Sequence, residues 1–245
     1  MIEVRQLAKH FRDRKRGLVK AVDGVSFTCT PGEIFGLLGI NGAGKTTTLR
    51  VLATLLQPTA GSVSIDGRDV VREGPEVRKR VGFLSTATAL YGRLTAREMV
   101  EYFGRLNGMP EAALQARIDE LFTRLEMHEF RDGRCDKLST GQKQRVSIAR
   151  TLIHDPQVMI FDEPTNGLDV LAARTIVQFI RECRERGKTV IFSSHVMSEV
   201  ARLCDRIAVV HQGRMSVTGT VAELRSHFGT EDLEDVFIRA LEATT

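Results

Sequence analysis

The sequence predicts an α/β fold in which a parallel sheet carries a smaller antiparallel β element and an inserted block of helices. Short apolar runs at 34–38, 158–161, 189–192 and 207–210 are continuous rather than alternating, the pattern of strands buried on both faces of a parallel sheet. Ser62-Val63-Ser64-Ile65 alternates and ends in the turn pair Asp66-Gly67, as a half-exposed antiparallel strand does. Between about 95 and 153 the strand pattern gives way to helical periodicity.

Within that block, Thr95 and Glu98 have the spacing of a capping box, and Met99, Tyr102, Phe103 and Leu106 follow at helical intervals. Leu114, Ile118, Leu121, Phe122 and Leu125 form a second apolar stripe. The expected organisation is one domain over 1–245. Segments 1–86 and 154–215 form the core with its β subdomain, 87–153 the helical subdomain, and 216–245 a helical C-terminal tail.

With 245 residues, 42% hydrophobic and 27% charged, the chain can bury a proper core. A net charge of +4 suits nucleotide, nucleic acid or an anionic membrane surface equally and selects none. Cys29, Cys135, Cys183 and Cys204 form no C-x-x-C pair, so neither a zinc site nor a disulfide framework is expected. No stretch approaches the ~20 apolar residues that cross a bilayer, and the start, MIEVRQLAKHF, lacks the apolar run of a signal peptide. A membrane role would therefore need another chain.

Gly39-Ile40-Asn41-Gly42-Ala43-Gly44-Lys45-Thr46 matches G-x-x-x-x-G-K-S/T between an apolar strand and the helix expected over 47–56. The glycines let successive N–H groups curl around phosphate oxygens, and the helix N-terminus, including Thr47, adds partial positive charge. Lys45 bridges the outer phosphates, and the Thr46 hydroxyl is a hard oxygen ligand suited to Mg²⁺. Asp162 and Glu163 end another apolar strand, at the sheet edge where parallel sheets bind ligands. A DE pair by itself often only caps a turn; beside a phosphate loop, Asp162 would hold the metal through its water shell and Glu163 would orient or deprotonate the attacking water. His195 follows the strand at 189–192 and the polar pair Ser193-Ser194. It reads either as a structural histidine or as a contact to the terminal phosphate.

Leu138-Ser139-Thr140-Gly141-Gln142 resembles the LSGGQ signature of ATP-binding cassette proteins. The phosphate loop, Asp162-Glu163-Pro164-Thr165, the Gly167-Leu168-Asp169 turn and His195 stand in the family's order, so the resemblance spans most of 1–215. It implies a P-loop NTPase (RecA-like) core that binds ATP and Mg²⁺ and hydrolyses ATP, with Lys45, Glu163 and His195 catalytic. It also implies an ATP-dependent head-to-tail homodimer, in which Ser139, Thr140, Gly141 and Gln142 close over the other copy's nucleotide and Asp169 lies at the interface. Read physically, Ser139 is an N-cap, and Val146, Ala149, Leu152 and Ile153 line one face of its helix. The family further implies Phe11 as the ring that stacks on adenine, although an aromatic there could equally be a core residue. Arg12, Arg14, Lys15 and Arg16 read as a solvated basic loop.

Where cassettes carry a metal-touching glutamine, Thr86 stands here, a shorter ligand. The segment 83–98 and the tail Leu233-Glu234-Asp235-Val236-Phe237 resemble the sodium-efflux branch, whose members similarly lack the glutamine. That branch implies export through a separate ABC-2 type permease, with this chain cytoplasmic and peripheral on the inner face of the membrane, and no nucleic acid as partner. A soluble cassette ATPase acting on nucleic acid or the ribosome is the alternative. Such relatives carry coiled coils, zinc insertions or paired cassettes, and none is visible. A small-metabolite kinase would leave Ser139 to Gln142 without purpose.

Overall fold

The computed structural model describes residues 1–15, 17–85 and 89–243. Two long strands, β1 (Ile2–Asp13) and β2 (Gly17–Cys29), precede β3 (Ile34–Leu38), α1 (Lys45–Leu52), β4 (Ala60–Ile65) and β5 (Arg68–Asp69). Next come α2 (Gly74–Arg78), β6 (Val81–Ser85), α3 (Ala96–Leu106), α4 (Glu111–Arg124) and α5 (Thr140–Leu152). The remainder is β7 (Val158–Asp162), α6 (Val170–Glu185), β8 (Thr189–Ser194), α7 (Met197–Leu203), β9 (Arg206–His211), β10 (Arg214–Thr220), α8 (Val221–Phe228) and α9 (Leu233–Glu242).

One sheet has the order β2-β1-β4-β5 and is antiparallel; the other has the order β10-β9-β3-β8-β7-β6 and is parallel except at β10. Alternate side chains of the central strands feed two separate cores. Ile34, Leu38, Met159, Phe161, Val190 and Phe192 pack into the helical layer, whereas Phe35, Leu37, Val158, Ile160 and Ile191 pack toward the antiparallel sheet. Such strands have no polar face, which is why the sequence shows them as unbroken apolar runs. Phe161 and Phe192 are both fully buried, each contributing about 1.5–3 kcal/mol relative to exposure.

β1 is not evident from simple alternation. Ile2 and Val4 face inward, but Gln6 has φ 47° and the pairing register shifts between Val4 and Leu7, so the alternation changes phase at a bulge. The helix after the phosphate loop begins at Lys45 and stops at Leu52, short of the expected 56. Thr54 has φ 61°, and the N–H groups of Leu55 and Leu56 return to the Arg50 carbonyl. The tail expected to be helical from 216 starts as strand: β10 pairs with β9 as far as Thr220.

The capping box read from Thr95 is formed in full: Thr95 Oγ1 accepts from Glu98 N at 3.1 Å, and Glu98 Oε2 accepts from Thr95 N at 2.8 Å. Arg124 of α4 pairs with Glu182 of α6, tying the helical layer to the sheet's own helices. All four cysteines are free thiols, and burial pushes the Cys183 thiol up to about 12. Among the described residues no helix is long and apolar enough to cross a membrane. Thr95→Ala should lower stability by about 1 kcal/mol through loss of the cap and lower Tm by about 2–4 °C, read by thermal unfolding.

Candidate active site

The strand register brings the polar residues together. β8 lies between β3 and β7, with Leu38 opposite Ser194 and Asp162 opposite Ser193. The phosphate loop, the acidic pair and His195 therefore leave neighbouring strands on one sheet edge. Gly44 has φ 109°, and a Cβ there would stand 2.3 Å from the Ala21 carbonyl oxygen; at Gly39 a Cβ would stand 2.5 Å from the Val210 carbonyl oxygen. Only glycine lets the loop bend and approach these backbones. The turn after β9 supports the loop from behind, Gly213 N donating to Ala43 O at 2.9 Å.

Lys45 is 5% exposed, and its ammonium donates to the carbonyls of Gly39 at 2.6 Å and Ile40 at 3.3 Å. Its third neighbour is Glu163 Oε1 at 3.2 Å. The other oxygen of that carboxylate, Oε2, lies 2.9 Å from His195 Nδ1. His195 is half exposed. Glu163 has φ 47°, a conformation costing a non-glycine residue roughly 1–2 kcal/mol. Its N–H is held at Ser193, by Oγ at 3.0 Å and by the carbonyl at 3.2 Å.

Asp162 is 5% exposed, and its Oδ1 accepts from Thr46 Oγ1 and from Ser193 Oγ, each at 3.0 Å. A hydroxyl and a carboxylate in contact beside a phosphate loop are hard oxygen donors of the kind Mg²⁺ takes. Asn41, Gly42, Ala43 and Thr47 lie along the loop and the first turn of α1. Phe11 is 39% exposed on β1 opposite Val19, with the Lys9 ammonium 5.1 Å from its ring centre, so it is not a core residue.

Ser139 to Gln142 stand apart from this cluster. Ser139 caps α5, with Gln142 N donating to its Oγ at 3.3 Å and Gln142 Oε1 accepting from Ser139 N at 3.0 Å. Gln142 thus closes a capping box, a structural use the sequence reading did not give it. Ser139, Thr140 and Gly141 share a concavity of about 470 Å³ with Asp169, which caps α6 through Ala172 N at 2.9 Å. A Cβ at Gly141 would meet nothing within 4 Å. Thr86 and Arg16 lie outside the described residues. Ser193 was read only as half of a polar pair. Its signal was position, a hydroxyl closing an apolar strand that pairs with the strand ending in Asp162.

The family profile described as ABC transporter matches residues 22–166. The chain is 43% identical over 242 residues, 98% of either chain, to the ABC transporter ATP-binding protein NatA of Bacillus subtilis (strain 168). It is 38% identical to the daunorubicin resistance ATP-binding protein DrrA3 of Streptomyces coeruleorubidus, over 93% of this chain and 72% of that one. A solved ATP-binding subunit of an ABC transporter superposes with TM-score 0.87 at 27% identity, covering 100% of both chains. A dimeric post-hydrolysis state of an ATP-binding cassette bound to ADP and Pi superposes with TM-score 0.80 at 27% identity, covering 90% of this chain and 98% of that one. The chain belongs to the ABC transporter family, as an ATP-binding subunit that hydrolyses ATP.

Gly44→Ala should weaken ATP binding by at least about tenfold, or 1.4 kcal/mol, while circular dichroism retains the wild-type fold. Binding can be followed with a fluorescent ATP analogue.

Proposed function

We propose that this chain is the motor of an exporter: two copies close head to tail on Mg-ATP and pass the movement to a separate ABC-2 type membrane subunit. The observation that carries the reading is the placement of Glu163, whose two carboxylate oxygens are held by Lys45 and His195 at the mouth of the phosphate loop. ATP phosphates offer Lys45 oxygens in exchange for Gly39, Ile40 and Glu163. That exchange would leave the Glu163 carboxylate available to accept a proton from water. His195 then fixes the Glu163 rotamer and presents its other ring nitrogen toward the terminal phosphate. Thr46 and Asp162 would hold Mg²⁺, which when bound offsets negative charge on the outer phosphates. Phe11, exposed and flat, offers its face to adenine.

The second half of the site comes from the other copy. Ser139, Thr140 and Gly141 begin a helix whose N-terminus attracts anions, and the space beside Gly141 is open. Asp169 lines the same concavity, and the exposed apolar side chains of Val170 and Leu171 beside it suit burial between copies. An apolar cleft of about 640 Å³ between β6 and the helices α3 and α5, walled by Phe83, Phe103 and Arg150, suits one short helix of the membrane subunit. Docking there would hold the chain peripherally on the cytoplasmic face. Sodium ions are the proposed cargo, on the full-length likeness to NatA. A host lacking the chain should then retain more radioactive sodium; unchanged efflux with altered drug sensitivity would reassign the cargo.

The direct test is Mg²⁺-dependent ATPase activity against protein concentration, wild type beside Glu163→Gln. Turnover should rise faster than linearly, and Glu163→Gln should lose at least about a hundredfold in kcat yet elute as a dimer with ATP. A variant that stays monomeric with ATP would count against paired sites.

A further inference from the structure

The geometry points to Ser193 as a positioning residue for ATP hydrolysis, a single buried hydroxyl that locks the metal-side carboxylate of Asp162 to the backbone of Glu163. The inference rests on the metal and base roles proposed for those two residues. Ser193 is fully buried near the end of β8, between Leu37 of β3 and Asp162 of β7 in the sheet register. Its Oγ accepts the Glu163 N–H at 3.0 Å and donates to Asp162 Oδ1 at 3.0 Å.

A hydroxyl has one proton to give. With one lone pair taking the Glu163 N–H, that proton points to Asp162 Oδ1, which accepts it. Asp162 Oδ1 is thereby fixed by two hydroxyls, from Thr46 and Ser193, and Oδ2 takes neither of these bonds. At the other end, the same hydroxyl helps hold Glu163 in its left-handed conformation, with φ 47°. That conformation accompanies the placement of the carboxylate between Lys45 and His195. One side chain that contacts neither nucleotide nor water in this scheme therefore sets both carboxylates in a common frame.

The test compares Ser193→Ala, Ser193→Cys and Ser193→Thr with wild type. Three quantities are read: the Mg²⁺ needed for half-maximal binding of fluorescent mant-ADP, and kcat and KM for ATP at saturating Mg²⁺. Ser193→Ala should need at least about threefold more Mg²⁺ and lose at least about tenfold in kcat, with KM changed less than about twofold. Glu163 N keeps its bond to the Ser193 carbonyl in this variant. Should Ser193→Ala fail to fold, Ser193→Cys preserves the volume with a poor hydrogen-bonding group and carries the same expectation. Ser193→Thr restores the hydroxyl and should return the Mg²⁺ requirement and kcat to within about threefold of wild type.

Folded Ser193→Ala with wild-type Mg²⁺ dependence and kcat overturns the inference. So does a folded Ser193→Thr as impaired as the alanine variant, because the loss would then follow packing rather than the hydroxyl. Glu163→Gln run in parallel separates the two levels. If it keeps full turnover, the proposed base has failed; if it is inactive while Ser193→Ala is normal, only the role of Ser193 falls.

Discussion

Lys45 carries its charge at a position only 5% exposed, and a cation so enclosed costs several kcal/mol unless acceptors surround it. The chain supplies two carbonyls from the phosphate loop and one carboxylate from the end of a different strand. The loop's curvature, the tight approach at Gly44 and the turn of Glu163 all converge on that demand. The acceptors around the ammonium are of the same chemical kind as phosphate oxygens. On the proposed reading, phosphate oxygens would replace these neighbours without stripping the charge bare.

The fold was legible where the physics leaves a one-dimensional trace. Strands buried on both faces must be apolar throughout, and 34–38, 158–161, 189–192 and 207–210 correspond to β3, β7, β8 and β9. A capping box needs its two residues three apart, and Thr95 with Glu98 form one. The trace is lost where two phases overlap. The bulge at Gln6 divides β1 into segments whose inward residues no longer share a period, and β10 has no fully buried residue, most of its length being half-buried beside β9.

The site divides in the same way. Lys45, Thr46, Asp162, Glu163 and His195 were legible because each follows an apolar run at the same end of one sheet. Their pairings were not, since Glu163 with His195 is a contact across 32 positions and Asp162 with Thr46 across 116. Gln142 shows the converse: the resemblance gave it a role toward nucleotide, and the structure gives it a hydrogen bond that completes a helix cap. The two uses are compatible, because a cap fixes the first turn whose N–H groups attract anions.

The helical layer is inserted between β6 and β7, which are neighbours at one edge of the sheet. Chain leaves the sheet at Ser85 and returns at Val158, so the covalent path into and out of α3, α4 and α5 runs through a single pair of adjacent strands, and the Arg124–Glu182 pair adds a tie to α6. Ser85 lies directly opposite Asp162 in the register, about 5 Å away across one strand spacing. Displacement of the helical layer would therefore act through β6, beside the strand that carries Asp162, the proposed metal-side carboxylate.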